Sequence, residues 1–413
     1  MSRFVQIHTL TSYPASLLNR DDAGFAKRIP FGGVTRTRIS SQCLKRHWRT
    51  FEGEEALSGL GQPMSVRSRY TFEEFVVQPL VDEGVPAALA REVTRALMNE
   101  VLGKSAKAAK EDAKNGEEKE AQKDAEPDPS LQTGQITVLG RPEVAYMLDV
   151  ARAICSKKPD AAKIAKAVAD HLGASGRGNL RELRLGAGLD AAMFGRMVTS
   201  DILARGDAAL HVAHAFTVHA EATETDYFSA VDDLPMARAE NGQGSGHIGN
   251  AELTSGLFYG YVVIDVPLLV SNLEGVDRKA WEKADRGLAG QVVERMVRLI
   301  ATVSPGAKLG STAPHAYAHL VLAEAGNAQP RTLANAFLNP ITTSPRQPDP
   351  VAAAYRALAQ HAADLDRMYG PAFQRRLAAI GPADGLADAL RATASASLAE
   401  VAGWAADQVR GGR

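Results

Sequence analysis

A run of basic side chains near the N-terminus is the part of the sequence whose residue types point most directly to chemistry. From Ala23 to Phe51 there is no Asp or Glu, although the whole chain has a formal net charge of −1. The basic residues of this run are Lys27, Arg28, Arg36, Arg38, Lys45, Arg46 and Arg49. Ordinary solvated surfaces mix both signs of charge, whereas a patch of one sign suits a polyanion such as a nucleic-acid backbone. A solvated basic face is the alternative interpretation.

Helical spacing would bring several of these basic groups together. On a helix that begins near Ser41, Lys45 and Arg49 lie four residues apart and share one face. Leu44 and Trp48 then form a neighbouring apolar stripe that can anchor the helix to a sheet. The spacing therefore predicts a helix with one basic and one apolar side.

The residues just before this helix are expected to be extended. In an extended run, Arg36 and Arg38 project from the same face. Ser40 or Ser41 suits the N-cap of the helix, because a hydroxyl can accept a hydrogen bond from an amide in the first turn. The two hydroxyls and the Gln42 amide also supply neutral donors for phosphate. The pattern predicts a strand-to-helix site that follows a nucleic-acid backbone.

Two glycine-rich motifs resemble nucleotide-binding loops but lack the surroundings that such loops need. VLGKSA at residues 101–106 ends like a phosphate-binding loop, yet Met98 stands where that motif requires its first glycine. GSGHIG at residues 244–249 matches a dinucleotide fingerprint, which works only between a strand and a helix. A polar segment precedes GSGHIG and strand-like residues follow it, so we predict the tip of a hairpin there.

Candidate metal ligands and acids are not arranged as a reaction centre. His211, His214 and His219 occur in a strand-like run, where His211 and His219 share one face and His214 points to the other. We therefore expect them in the core or facing a nucleic acid rather than on one metal ion. Asp232 and Asp233 could act as an acid pair, although adjacent carboxylates in a loop are usually solvated. We predict no metal and no cofactor.

The composition is that of an ordinary globular protein. Hydrophobic residues make up 45% of the 413 residues and charged residues 23%. No apolar stretch approaches the roughly 18 residues that span a membrane, and the first residues do not fit a signal peptide. Cys43 and Cys155 are too few for a disulfide framework and lack a paired metal-binding spacing. We expect a reduced, cytoplasmic protein without a membrane partner.

Periodicity along the chain predicts one α+β core that carries two large insertions. Residues 63–191 are mainly helical in pattern, and so are residues 278–303. The segments predicted as strands are 4–13, 35–40, 210–219, 255–269 and 315–325. The long polar stretch before residue 255 predicts a protruding hairpin. Six Lys and eight Asp or Glu, without an aromatic or β-branched residue, predict a disordered charged loop at 103–130.

Several blocks of the sequence resemble the CasC (Cse-type) backbone subunit of the type I-E CRISPR Cascade complex. The first block, NRDDxxxxKxxxFGGxxRxRISSQxLKRxxR, runs from Asn19 to Arg49 and contains the basic run. The other blocks are FGRMVTSD (194–201), HVAHAFTVH (211–219), DYFSAVDDL (226–234), GSGHIGNAELTSGLFYGY (244–261) and VSPGAKLGSTAP (303–314). They occur in family order, whereas the segment from Arg49 to Arg181 and the tail after Pro340 match poorly.

The resemblance implies an RNA-recognition-like (ferredoxin-like) palm, a helical fingers insertion and a long thumb β-hairpin. The palm is expected in 1–50, 191–218 and 256–413, the fingers in 51–190 and the thumb in 219–255. In that family several copies polymerise along one guide RNA, and each thumb folds over the RNA and reaches the next subunit. The resemblance therefore implies a non-catalytic filament subunit that holds the crRNA backbone and presents the spacer for pairing with target DNA.

RNA contacts are carried over from the family onto matching positions. The implied phosphate and ribose contacts are Arg20, Lys27, Arg38, Ser40, Gln42, Lys45 and Arg49, with Lys308 of the PGAK motif added. Met197 is implied as an apolar wedge near a displaced base, and Arg46 is expected at the periphery. Only a fragment of the aromatic RNA-binding signature is present, YGYV at residues 259–262, so base stacking on that strand is not expected.

The same resemblance implies a set of macromolecular partners. These are crRNA, target DNA paired with the guide, further copies of this chain, and the other Cascade subunits. The latter comprise the large subunit, the small subunit, the subunit that caps the 5′ handle and the crRNA-processing subunit that binds the 3′ hairpin.

Two other functions stay open at this point. Related backbone subunits of type III complexes cut target RNA with a loop Asp, and Asp21 and Asp22 lie in a loop of the corresponding region. A metal-dependent endoribonuclease is therefore the alternative function. A small-molecule enzyme that uses the Gly-rich loop at 244–249 is the third, and it predicts a nucleotide-dependent thermal shift.

Overall fold

The chain is a mixed α+β protein, as predicted, and it divides into two compact units. The computed structural model describes residues 1–103, 131–173, 176, 180, 183, 185–196, 203, 206–231, 245–342 and 349–411. The first unit comprises Met1–Leu57, Leu210–Val266 and Arg286–Arg413, and the second comprises Ser58–Ala209 and Pro267–Asp285. From residue 104 onward, the charged loop predicted at 103–130 lies outside the described residues.

Twelve strands are present in the described part of the chain. In chain order they are β1 (Phe4–Ser16), β2 (Arg28–Phe31), β3 (Val34–Ile39), β4 (Ser65–Ser68), β5 (Thr137–Gly140), β6 (Leu210–Val212), β7 (Ala215–Thr217), β8 (Thr223–Val231), β9 (Ser245–Asp265), β10 (Ala318–Gly326), β11 (Gln374–Ala379) and β12 (Thr393–Ala394). All but β4 and β5 belong to one sheet in the first unit, with the order β12-β11-β10-β1-β9-β7-β3-β2, while β6 and β8 also pair with β9. Neighbouring strands are antiparallel except β11 and β12.

Helices occur in both units. They are α1 (Ser41–Thr50), α2 (Gln78–Asp82), α3 (Ala87–Leu102), α4 (Arg141–Cys155), α5 (Ala161–His171), α6 (Leu189–Phe194), α7 (Val266–Glu274), α8 (Gly287–Thr302), α9 (Leu309–Thr312), α10 (Pro350–Tyr369), α11 (Leu386–Ala389) and α12 (Leu398–Arg410). A π-helical turn at Glu73–Val77 leads into α2, and single 3₁₀ turns occur at Leu57–Leu60, Arg278–Ala280 and Ala334–Phe337. Within the described residues, none of the helices has both the length and the apolar character needed to cross a bilayer.

The first strand is buried on both faces rather than on one. Val5 and Ile7 are fully buried, and so are the alternating polar residues Gln6 and His8. This happens because β1 lies between β9 and β10 in the middle of the sheet, where both faces are covered. Gln6 Oε1 accepts a hydrogen bond from the Tyr261 hydroxyl at 2.7 Å. This bond satisfies the oxygen of the buried Gln6 side-chain amide.

The segment predicted as one strand at 210–219 is two short strands separated by a bulge. Val212 pairs with Val262 and Phe216 with Tyr259, so the β6–β7 side has one residue more than β9. The Ala213 amide still donates to the Tyr261 carbonyl at 2.9 Å. An extra residue interrupts the strict alternation of side chains between the two faces. The assignment of His211 and His219 to one face and His214 to the other, which assumed strict alternation, therefore does not hold along this segment.

The hairpin predicted after this segment is formed by β8 and β9. Their pairing begins at Thr223–Thr254 and continues without a break to Ala230–His247. Residues 245–249 of GSGHIG lie in β9 and pair with β8, so they are not the tip of the hairpin as predicted. A strand and not a helix follows them, as expected, so the dinucleotide-binding arrangement is not formed there. The carboxylate pair Asp232 and Asp233 lies outside the described residues.

The helix predicted at 278–303 is shorter than its sequence pattern. Arg278–Ala280 is a 3₁₀ turn, in which Asp277 accepts from the Lys279 amide at 2.8 Å, and α8 starts only at Gly287. The break coincides with the change from one compact unit to the other at Asp285. Trp281 follows the 3₁₀ turn in the sequence and precedes α8, and its side chain is buried. The apolar residue that the sequence pattern assigned to a helix therefore lies outside α8.

The second unit is mainly helical, as the pattern over 63–191 predicted. Its core brings together the apolar faces of α3, α4 and α5, with Leu97, Met147 and Ile164 among the buried side chains. The two-stranded ribbon of β4 and β5 is an addition that the helical pattern did not indicate.

Candidate nucleic-acid interface

The junction of β3 and α1 carries the centre of the basic run. Ser40 has extended backbone angles, and its Oγ accepts from the Cys43 amide at 3.3 Å, so Ser40 is the N-cap of α1. No acidic residue occupies the first turn. The N-terminus of a helix carries partial positive charge and favours anions such as phosphate. The Ser40 hydroxyl uses one lone pair for the cap and keeps its hydrogen as a donor.

The apolar side of α1 anchors the helix, as the spacing predicted. Trp48 is 3% exposed, and Leu44 packs with Cys43 against a cluster that contains Ile39 and Phe258. The burial of this stripe orients the remaining sides of the helix. Gln42 and Arg46 are exposed, whereas Lys45 and Arg49 are partly buried.

The loop before β2 is fastened onto the start of α1 by Asn19. Its Oδ1 accepts from the Ser40 amide at 2.9 Å, and its carbonyl accepts from the Lys27 amide at 2.9 Å. Arg20 forms an isolated antiparallel bridge with Ala26, and its side chain is exposed. The loop therefore closes on itself and holds Arg20 and Lys27 beside the helix N-terminus. Asn19 had no role in the sequence prediction beyond its place in the family block.

The Arg38 guanidinium has a defined partner at the bulge. Its Nη1 donates to His214 Nδ1 at 2.9 Å, and its amide donates to the Lys27 carbonyl at 2.8 Å. Partial burial, together with the positive charges of Arg38 and Lys27, lowers the pKa of His214. A neutral imidazole with its proton on Nε2 can accept this bond, and His214 thereby orients Arg38. The HVAHAFTVH block contained His214, but only the sheet places it against β3.

Arg36 and Arg38 were predicted to project from the same face of an extended run, but Arg36 is buried whereas Arg38 is only partly buried. The Arg36 side chain is 0% exposed. Nε donates to the Phe31 carbonyl at 3.1 Å, Nη1 to that of Thr217 at 3.0 Å and Nη2 to that of Phe337 at 2.9 Å. Segments that are distant in sequence cover this position, and alternation along β3 could not reveal them. Arg36 is a structural residue that satisfies three carbonyls, two of them in fully buried contacts.

Two further predicted contacts stand apart from this junction in sequence. Lys308 has left-handed backbone angles at the start of α9, and its Nζ lies 5.8 Å from the centre of the Phe228 ring on β8. This cation–π contact associates Lys308 with the hairpin. Met197, the predicted wedge, lies outside the described residues.

The acidic residues of the loop are arranged differently from each other. Asp21 Oδ1 accepts from the Phe25 amide at 2.9 Å, and the Asp21 amide donates to the Phe25 carbonyl at 2.8 Å, so Asp21 closes a turn. Asp22 is exposed. Among the described residues there is no group of three or more His, Cys, Asp or Glu side chains placed to hold a metal ion.

Tyr259, the first aromatic residue of the YGYV fragment, points into the protein. Tyr259 is 2% exposed, and its hydroxyl lies 2.8 Å from His8 Nδ1 and accepts from the Leu333 amide at 3.0 Å. Burial raises the pKa of Tyr259. Its ring therefore packs in the core of the first unit.

Comparison with known proteins gives a family and a set of similar solved structures. A family model described as "CT1975-like protein" (Cas_CT1975) matches residues 5–404. A solved structure titled "CRISPR RNA-guided surveillance complex, pre-nicking" is similar with a TM-score of 0.74 and 27% identity over 98% of this chain and 100% of that chain. A second, titled "CRISPR RNA-guided surveillance complex", has a TM-score of 0.65 and 23% identity over 98% and 99%, which shows a shared fold. Among curated proteins, no sequence matches the chain.

Proposed function

The chain belongs to the CT1975-like protein family, and its similarity to a chain of a CRISPR RNA-guided surveillance complex leads us to propose that it is a guide-RNA-binding subunit of such a complex. More finely, it is a non-catalytic, Cse-type CasC-like backbone subunit of a type I-E Cascade. It grips the sugar–phosphate backbone of crRNA and leaves the spacer bases free to pair with target DNA. Contact with the backbone alone is what such a subunit needs, because it must accept any spacer.

The observation that carries this proposal is the junction of β3 and α1. A capped helix N-terminus without an acid in its first turn adjoins Lys27, Arg38 and the basic side of α1. These groups supply a positive helix end, charged donors and hydroxyl donors within one short stretch of the fold. That combination recognises phosphate without reading base sequence.

The proposal also assigns roles to the larger parts of the chain. The sheet of the first unit serves as an RNA-recognition-like palm, the β8–β9 hairpin as a thumb and the second unit as fingers. Copies of the chain line one guide RNA as a filament in the cytoplasm, together with the large, small, 5′-handle-capping and 3′-hairpin-binding subunits. Mass spectrometry of the intact complex purified with its RNA tests this assembly, because each further copy adds 43.9 kDa. A single copy per guide would contradict the filament.

The RNA grip is tested by Lys45→Glu combined with Arg49→Glu. Each lost phosphate contact is expected to cost about 1 kcal/mol and to lower the salt slope of binding by roughly one unit. Binding of fluorescent crRNA is measured at several salt concentrations, with two unrelated spacers of equal length. Lys163→Glu combined with Lys166→Glu on α5 makes the same charge change outside the basic run and serves as control. Unchanged crRNA affinity in the Lys45/Arg49 variant would refute the grip.

A further inference from the structure

The Arg28 guanidinium, in the basic run, joins two carboxylates. Its Nε donates to Glu221 Oε2 at 2.5 Å and its Nη2 to Glu252 Oε1. Glu221 follows β7, and Glu252 lies on β9, the second strand of the hairpin. Arg28 is the first residue of β2. The three side chains therefore connect the base of the hairpin with the start of β2, where the loop before β2 ends.

The second oxygen of Glu252 strengthens this connection. Oε2 accepts from the Ala26 amide at 2.6 Å, while Arg28 Nη1 donates to the Ala26 carbonyl at 3.3 Å. The Glu252 side chain is 9% exposed and that of Arg28 is 34% exposed. A shielded, charge-assisted pair with additional backbone bonds is more strongly held than an exposed ion pair. One carboxylate thus fixes both the backbone and the side chain at the end of the loop.

The backbone of Arg28 reaches two predicted RNA contacts. Its carbonyl accepts from Arg38 Nε at 3.1 Å, and Lys27 is its neighbour in the chain. The Glu221 amide donates to the Thr35 carbonyl at 2.9 Å, which ties the same carboxylate-bearing segment to β3. A shift of Arg28 would therefore move Lys27 and release Arg38.

We propose that Arg28, Glu221 and Glu252 form a clamp that positions Lys27 and Arg38 for the guide-RNA backbone without itself contacting RNA. The inference rests on the proposed function. Two carboxylates compensate the charge of Arg28, so this residue does not act as a phosphate ligand although the sequence groups it with the basic run. Arg28 is a positioning residue, and the hairpin base is thereby coupled to the RNA grip.

Salt-dependent RNA binding separates positioning from contact. Arg28→Gln is expected to weaken crRNA binding about 3- to 10-fold with an unchanged salt slope, whereas Lys27→Gln lowers both affinity and slope. Glu252→Gln is the sharper test, because it removes a negative charge near the RNA. The clamp predicts weaker crRNA binding for Glu252→Gln. If Glu252 acted only by repelling the RNA phosphates, its loss would make crRNA binding tighter. A reduced slope in Arg28→Gln, or tighter binding in Glu252→Gln, would overturn the clamp.

Hydrogen exchange tests the clamp independently of RNA. In the free protein, Glu252→Gln and Arg28→Gln should speed amide exchange at 19–28 while the amides of β1 and α8 keep wild-type rates. Unchanged exchange at 19–28 would overturn the clamp. If the wild-type chain fails to bind crRNA, the proposed function fails instead, and faster exchange in the variants would still support the clamp as a device of the fold.

Discussion

The amide of Ser40 donates to Asn19 Oδ1 across 2.9 Å, so the residue that caps α1 is itself held by Asn19 of the loop before β2. The same Asn19 accepts from the Lys27 amide through its carbonyl. Asn19 therefore links the loop before β2, the N-cap residue and the first turn of α1 through hydrogen bonds. RNA affinity should depend on these bonds even where a substitution removes no charge.

Asn19→Ala tests this dependence. Loss of the bond to Ser40 should lower the free energy of unfolding by about 1 kcal/mol and weaken crRNA binding several-fold. Asn327→Ala is the matched control, because Asn327 Oδ1 accepts a backbone bond of 3.0 Å from Arg3 outside the basic run. Thermal melts and crRNA titrations of both variants are the measurements. Equal RNA affinities in the two variants would contradict the coupling.

Substitutions at Ser40 separate the cap from the charge. Ser40→Ala should lower the free energy of unfolding by about 1 kcal/mol, because the cap to the Cys43 amide is lost. Ser40→Asp keeps a capping oxygen and so retains stability, yet its negative charge should repel phosphate. We therefore expect the Asp variant to be the more stable and the weaker RNA binder in paired melts and titrations. An Asp variant with wild-type RNA affinity would argue against phosphate at this helix end.

Arg36→Met should destabilise the protein without altering the salt slope of RNA binding. The change removes the donor of three carbonyls, two of them in buried contacts, at a cost on the order of 3 kcal/mol. Arg36→Lys keeps the charge but lacks the fork that reaches all three carbonyls, so it should recover only part of the stability. Chemical denaturation and salt titration report the two effects. If the Arg36→Met protein is as stable as wild type and its RNA binding has a smaller salt slope, Arg36 contacts RNA and is not a structural residue.

The buried histidine of β1 predicts how stability depends on pH. His8 Nε2 lies 3.1 Å from Glu324 Oε2, and burial lowers the pKa of His8 below its ordinary 6.5. As the pH falls through 6.5, the unfolded chain binds a proton that the folded chain does not. The free energy of unfolding should therefore decrease on acidification between pH about 7 and 5.

His8→Gln isolates this contribution. Gln cannot titrate, so the loss of stability between pH about 7 and 5 should be smaller in the variant than in wild type, whatever its absolute stability. Bonds from His8 and Arg331 outweigh burial and hold the pKa of Glu324 below its ordinary 4.5, so the loss due to Glu324 comes only at lower pH. Urea melts at both pH values are the measurement. Identical pH dependence in the two proteins would show that His8 does not titrate in this way.

Catalysis is tested by incubating the assembled complex with matched RNA and Mg²⁺. We expect no regular cleavage, because we propose a non-catalytic subunit. Asp22→Ala is the informative variant, since Asp22 is exposed whereas the Asp21 carboxylate closes a turn. Regularly spaced cuts that disappear in Asp22→Ala would establish the endoribonuclease instead.

Much of the fold followed from local patterns. The cap at Ser40, the apolar stripe of Leu44 and Trp48, and the β8–β9 hairpin depend on residues that are close in sequence, and all three are present. The prediction for 278–303 was wrong in its first part, because helical spacing cannot show where the chain passes between compact units. The single strand predicted at 210–219 was wrong for a related reason, since a bulge is defined by its partner strand.

The sequence by itself determined that positive charge is concentrated in one stretch and that a capped, anchored helix follows an extended segment. Only the tertiary structure decided which basic side chains bond to groups within the protein and are therefore not available to a ligand. The partners of Arg28 and Arg36 include Glu221, 193 residues away, and Phe337, 301 residues away. Charge is a property of each residue, whereas the availability of that charge depends on which distant carboxylates and carbonyls the fold brings within hydrogen-bond distance.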